Sequence, residues 1–231
     1  MKTSRLLKYL WQEWLRPSLV MAAIVLPIKS SLADLNFVPT GSMKPTILEG
    51  DFVYVNKLAY DLKLPFTTRH LAEWGDPGRG DVVVLFSPED EMRLVKRVVA
   101  IPGDTIELRN NLLYINEQRA AYQPLPETSR EYLPGSDLQS AQFATETIDE
   151  RTHAVMAYPS AYAMKRSFAP VTLHAGEYFV MGDNRDNSKD SRYFGVVPRN
   201  LIVGEAVGVA ASFDKPGNWL PRVGRFLSEL N

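Results

Sequence analysis

Asp81-Val82-Val83-Val84-Leu85-Phe86 and, five residues on, Met92-Arg93-Leu94-Val95-Lys96-Arg97-Val98-Val99-Ala100-Ile101 decide the fold class. Val82 to Phe86 is apolar throughout and follows the turn cluster Trp74-Gly75-Asp76-Pro77-Gly78-Arg79-Gly80-Asp81, so it reads as a buried strand. The second reads as another strand, ended by the turn Pro102-Gly103-Asp104. Period-two alternation puts Leu94, Lys96, Val98 and Ala100 on one face and Arg93, Val95, Arg97 and Val99 on the other. Lys96 is then the one charge on an otherwise apolar face. Two readings of it stand: a sheet-edge lysine that snorkels to water, and a lysine desolvated enough to shed its proton near neutral pH. A neutral amine of the second kind can deprotonate a serine.

The serine to set beside it lies upstream, in Pro39-Thr40-Gly41-Ser42-Met43-Lys44-Pro45-Thr46. Gly41 allows a backbone conformation or close approach that a side chain would forbid. Pro45 fixes one dihedral and pushes Lys44 towards extended geometry. Ser42, held this firmly, is a candidate nucleophile in need of a base. An ordinary loop serine is the alternative for this motif taken alone.

Further strands flank these. Phe52-Val53-Tyr54-Val55 follows the Glu49-Gly50 turn, while residues 60–76 read as irregular. Arg79-Gly80-Asp81 matches an adhesion tripeptide, but such triplets are common by chance and a strand-entry turn accounts for it. Thr105-Ile106-Glu107-Leu108 starts another strand, and Leu112 to Ile115 with Asn116-Glu117 reads as hairpin-like. Residues 109–175 are less regular, with turns at Pro124, Pro126 and Pro134-Gly135, and read as an insertion or cap. Strands resume at Glu177-Tyr178-Phe179-Val180-Met181 and at residues 201–212. Between them, residues 182–195 crowd charged and polar groups more densely than a solvated turn requires. Asp183, Asp186 and Asp190 offer oxygens, but the spacing and the terminal Glu of a calcium loop are missing. After Phe213, the spacing of Trp219, Val223, Phe226, Leu227 and Leu230 predicts an amphipathic helix, packed on the domain or resting on a membrane surface.

Composition narrows the function classes. A chain of 231 residues, 45% hydrophobic, suits one sizeable domain with an insertion. A net charge of −1 gives no pointer to nucleic acid. The absence of cysteine excludes disulfides, thiolate catalysis and cysteine-ligated zinc. His70, His153 and His174 form no metal motif, and a Ser-His-Asp triad would need one of them. At the N-terminus, Lys2, Arg5, Lys8 and Arg16 precede an apolar run at residues 19–28. That run falls short of the about 20 residues that span a bilayer. Extending it to Val38 takes in Lys29, Asp34 and Asn36. A signal peptide, a buried core helix and a marginal membrane anchor compete for this segment. As an anchor, its basic flank stays cytoplasmic and everything after it lies outside.

Three blocks, residues 39–46, 79–104 and 181–198, resemble the boxes of bacterial type I signal peptidases, the membrane-bound serine–lysine enzymes that cleave leader peptides from exported proteins. The resemblance runs from about residue 36 to residue 213. It implies that Ser42 is the nucleophile, in S-M-x-P, and Lys96 the general base, in K-R-V-x-x-x-P-G-D, with Arg97 beside it in support. Within G-D-N-x-x-x-S-x-D-S-R it implies that Ser188 orients the lysine and that Asp190 and Arg192 form a structural pair. Thr40 stands where many members have a serine whose hydroxyl completes the oxyanion hole with the Ser42 N–H. Val38, Ile47 and Leu94 are expected to line part of the pocket for small substrate side chains. The chain departs from the family in its short, interrupted anchor and in lacking the cysteine pair some members carry in the insertion.

The resemblance implies a mainly β fold of coiled antiparallel sheets with an inserted cap, preceded by an N-terminal membrane-anchor helix. The expected division is a cytoplasmic tail at 1–16, an anchor at 17–35, a catalytic β-domain at 36–108 and 176–213, a cap at 109–175 and a C-terminal tail at 214–231. The implied place is the bacterial cytoplasmic membrane, single-pass, with the catalytic domain on the periplasmic side. The implied partners are signal-peptide-bearing precursors and a lipid bilayer, with no cofactor, metal or nucleic acid. Two alternatives stand beside this: a non-catalytic membrane-tethered β-domain that binds extended peptides, and a specialised pilin- or conjugation-processing peptidase of the same family. A self-cleaving repressor is a third serine–lysine class. It would carry a helix-turn-helix domain, for which the residues before the Ser42 box are too few.

Overall fold

The structure, a computed structural model, describes residues 9–64, 67, 69–159, 165–215 and 217–230, with the side chains of residues 10 and 27–30 left out. Lys2, Arg5 and Lys8 of the basic tail, and the side chain of Lys29, therefore lie outside the described part. The protein is mainly β, built on one curled antiparallel sheet. Its strands are β1 (Ala33–Phe37), β2 (Asp51–Asn56), β5 (Val82–Phe86), β6 (Arg93–Ala100), β14 (Glu177–Met181), β15 (Val197–Pro198), β16 (Ile202–Ser212) and β17 (Ser228–Glu229). The order across the sheet is β1-β2-β16-β5-β6-β14-β15, with β17 added on β16. Register shifts along β16 mark bulges, which bend a strand and increase its twist, and so curl the sheet.

Apolar clusters cover both faces of its middle. Val82 and Val84 of β5 pack with Val38, Met43, Ile47, Val53 and Val55. Val83 and Leu85 turn the other way, to Tyr60, Val98, Tyr178 and Val180. This two-sided burial is why residues 82–86 are apolar without alternation. β6 pairs with β5 in the register Val83↔Lys96 and Val82↔Arg97.

A second, four-stranded sheet joins β7 (Thr105–Arg109), β8 (Leu112–Ile115), β9 (Gln118–Arg119) and β13 (Phe168–Thr172). The hairpin read at Asn116-Glu117 forms, with both residues at positive φ between β8 and β9. A third sheet, β10 (Ala121–Pro124), β11 (Gln142–Ile148) and β12 (Arg151–Ala157), occupies the middle of the inserted region with helix Gly135–Ser140.

Three expectations are corrected. Residues 60–76 are not wholly irregular, because β3 (Asp61–Lys63) pairs with β4 (His70–Glu73). The tail after Phe213 is not an amphipathic helix. Among its described residues it holds one short helical turn, Val223–Arg225, and β17, and Trp219 and Leu227 adopt positive φ. Pro221 removes a backbone donor, and Arg222 and Arg225 are drawn off to the carbonyls of Glu49 and Thr46. At the N-terminus, helix α1 (Arg16–Ser31) ends before the apolar extension, and Ala33–Phe37 is a strand paired with β2. Asp34 meets Arg93 at 3.1 Å and Lys57 at 3.5 Å, so it belongs to the folded domain rather than to a membrane interface. No helix of the described residues is long and apolar enough to cross a membrane.

Candidate active site

Ser42 opens a tight turn between β1 and β2. The close approach that Gly41 permits is real. A β-carbon there would come within 2.7 Å of Lys44 Cε and 2.9 Å of a Glu49 carboxylate oxygen. Lys44 is buried and bonds through Nζ to Asp137 Oδ2 at 3.0 Å, which ties this turn to the inserted region. Met43 and Ile47 anchor the same turn in the core.

Lys96 Nζ stands 2.8 Å from Ser42 Oγ and donates to the Val95 carbonyl at 2.9 Å. The lysine is 2% exposed, which decides between the two readings of its face: it does not snorkel. Burial pulls its amine from 10.5 down to about 8, Asp190 and Asp183 oppose that shift, and Arg192 adds to it. Near neutral pH a useful fraction is then uncharged, and the lone pair of a neutral amine at this distance can take the hydroxyl proton.

The loop after β14 reaches the serine from behind. A β-carbon on Gly182 would lie 2.3 Å from Ser188 Oγ and 2.4 Å from the Ser42 carbonyl oxygen, so only glycine fits there. Asn184, fully buried, donates its backbone N–H to that same oxygen at 3.1 Å and its side-chain amide to the Gly41 carbonyl at 3.0 Å. Asp190 accepts from the Gly182 N–H, caps the short helix Ser191–Phe194 and takes a two-pronged pair from Arg192 at 2.7 and 2.8 Å. Arg97 is 1% exposed and grips Asp183 with two 2.9 Å bonds, while its third donor goes to the Gly80 carbonyl. Burial works against the charged form of Asp183, yet Arg97, His153 and the Thr46 hydroxyl together hold its carboxyl below the usual value.

Ser188 lies beside this set but makes no bond to Lys96, and its buried hydroxyl has no hydrogen-bond partner among the described residues. Thr40 is exposed. The three residues expected around a substrate pocket do not come together. Val38 and Ile47 are buried in the cluster of Met43 and Val53, and Leu94 packs against the cluster of Val83 and Val98. Asn184, Gly182 and Thr46 were not singled out from sequence. The G-D-N run between two apolar strands was the available signal. The histidines are engaged elsewhere: His153 with Glu146, His70 with Asp61, His174 with Glu177.

A family model described as "Signal peptidase, peptidase S26" matches residues 11–210. A signal peptidase I of Pseudomonas aeruginosa is 39% identical over 205 residues, with 84% of this chain and 70% of the relative covered. One from Pseudomonas fluorescens is 39% identical with the same coverage of each chain. A signal peptidase I of Buchnera aphidicola is 31% identical, covering 84% of this chain and 73% of its own.

Proposed function

The chain belongs to the signal peptidase family, peptidase S26, as a serine endopeptidase that cleaves signal peptides, and we propose that Ser42 and Lys96 are the dyad with which it does so. The observation that carries the proposal is a lysine amine, buried and depressed to about 8, 2.8 Å from a serine hydroxyl on a tightly packed turn. In this reading Lys96 takes the Ser42 proton as Oγ attacks the scissile carbonyl. The C–N bond breaks, and the leaving amine takes that proton from Lys96. A Ser42 ester remains, and Lys96 activates the water that hydrolyses it. The Ser42 N–H and the exposed Thr40 hydroxyl stabilise the oxyanion, each donor typically contributing about 3–4 kcal/mol. Ser188, Asp190, Arg192 and Arg97 shape the lysine's surroundings.

The substrates are exported precursors lying extended along the sheet, a mode in which main-chain bonds supply affinity and alternate side chains specificity. Residues 33–108 and 176–213 form the catalytic domain, 109–175 the cap, and the residues from 214 on a tail that braces the turn of Ser42. Membrane attachment falls to α1 and the turn before it. Trp11, Trp14, Leu15, Leu19, Met21, Ile24 and Leu26 are all exposed there, and an exposed apolar patch of this extent calls for a non-aqueous neighbour. The basic residues before it favour the cytoplasmic side for the N-terminus.

The test is incubation of the full chain with a leader-bearing precursor and mass measurement of the products. One cut at the leader boundary is expected, and none with Ser42→Ala or Lys96→Ala. Cleavage that survives Lys96→Ala but fails with a histidine replaced contradicts the dyad. For topology, protease added to spheroplasts should digest the chain beyond about residue 36; protection until lysis contradicts the orientation.

A further inference from the structure

We propose that Asn184 is a positioning residue for the oxyanion hole, aiming the Ser42 N–H from outside the turn that carries it. The proposal rests on the dyad reading above. A peptide unit is planar and trans, so its carbonyl and its N–H point in opposite directions. Holding the Gly41 oxygen therefore sets where the Ser42 N–H points. Asn184 Nδ2 holds that oxygen at 3.0 Å, and the Asn184 backbone N–H holds the Ser42 oxygen at 3.1 Å. One residue thus fixes both peptide planes that flank the nucleophile. The Ser42 N–H itself donates to none of the described residues, so it is left for a ligand.

The Lys44 N–H also reaches the Gly41 oxygen, at 3.2 Å, but it belongs to the same turn and moves with it. Asn184 belongs to a different frame. Met156 donates to the Asp183 carbonyl at 2.9 Å, and Arg185 donates back to the Met156 carbonyl at 2.8 Å, stitching the backbone on both sides of Asn184 to β12. Asn187 donates to the Asn184 carbonyl at 3.0 Å. The asparagine is fully buried, and its Oδ1 has no partner among the described residues, so the side chain's bond to the turn is the amide donation. The inserted region, through β12, thereby reaches the oxyanion donor.

The test compares two probes on wild type and Asn184→Leu, a change that removes the amide at similar size and adds no charge. One probe is a leader-sequence peptide aldehyde ending in alanine, whose hemiacetal oxygen occupies the oxyanion position. The other is the corresponding primary alcohol, which forms no adduct. Loss of a whole oxyanion donor costs about 10²–10³ in kcat, and a misaimed one is expected to cost about tenfold or more. Asn184→Leu should lower kcat and weaken the aldehyde by the same factor. KM, alcohol binding and the pH midpoint of activity should stay unchanged. Equal weakening of both probes, or an intact preference for the aldehyde, overturns the proposal. If Asn184→Leu does not fold, Asn184→Asp, which keeps the size but cannot donate, is read on the same pair of probes with the same two outcomes. Ser42→Ala separates the layers. It should abolish the aldehyde preference, and retention of that preference would overturn the dyad reading beneath the proposal.

Discussion

The carbonyl oxygen of Ser42 and the α-carbon of Gly182 are so close that a β-carbon on the glycine would sit 2.4 Å from that oxygen. The Ser188 hydroxyl beside it, at 2.3 Å, can rotate away, but the Ser42 oxygen is backbone, so the strain of a methyl group falls on the turn itself. Gly182→Ala should push the Ser42 turn away from β14, lengthen the distance to Lys96 and lower kcat/KM at least about a hundredfold, since small misplacements of reacting groups carry such penalties. Thermal unfolding should show a loss of about 1–3 kcal/mol from overpacking. A Gly182→Ala enzyme with the wild-type rate would show that the two segments are not coupled.

Ser188 behaves differently. Its hydroxyl is buried without a partner among the described residues, so Ser188→Ala removes no hydrogen bond seen among them. Stability should stay within about 1 kcal/mol of wild type or rise, because deleting an unsatisfied polar group removes its desolvation cost. Activity should fall less than with Ser42→Ala or Lys96→Ala. A loss as complete as theirs, measured on the same precursor, would give Ser188 a direct part in the chemistry.

Arg97 and Asp183 form a pair with side chains 2% and 1% exposed. Arg97→Met leaves the Asp183 carboxylate buried without its main counter-charge, a change that typically costs about 3–5 kcal/mol. Denaturant unfolding should show a loss of that order, and the double variant with Asp183→Leu should recover part of it. A single variant as stable as wild type would mean that the pair is not closed in solution.

Lys96 makes stability depend on pH. Its folded value of about 8 lies below the ordinary 10.5. Between those values the unfolded chain binds more protons than the folded one, so stability rises with pH across that window and the full cost is felt below 8. A shift of this size corresponds to about 3 kcal/mol. Lys96→Met should therefore be inactive yet more stable at pH 7, by up to about 3 kcal/mol, with the rise above pH 8 flattened. Unfolding curves of both proteins from pH 7 to 10.5 check this. A Lys96→Met protein less stable at pH 7 than wild type would contradict the burial cost.

The legible parts of the sequence were those where one physical signal dominated. Val82 to Phe86 announced a strand because both its faces are covered, and Asn116-Glu117 announced a hairpin because two successive residues there adopt positive φ. Lys96 stood out as a lone charge on an apolar face. Arg97 did not, because alternation assigned it to a face already carrying Arg93, whereas the curled sheet buries it against Asp183. The tail misled because Trp219, Val223, Phe226 and Leu230 keep helical spacing. What decides its path is the pull of Arg222 and Arg225 on the carbonyls of Glu49 and Thr46, a long-range contact that no local window records. Asn184 stayed hidden for the same reason. The G-D-N run marks the segment, but no local pattern in it shows that the side chain of Asn184 reaches the Gly41 carbonyl.

The central claim is that a neutral Lys96 activates Ser42, and the pH dependence of kcat/KM on a leader-bearing precursor tests it most directly. With the amine at about 8, activity should be low in acid and climb about tenfold per pH unit until it levels off above that value. Lys96→Arg should be inactive throughout, because guanidinium stays protonated over the whole range. A profile that levels off near 6.5, the ordinary value of histidine, or an active Lys96→Arg enzyme, would contradict the account.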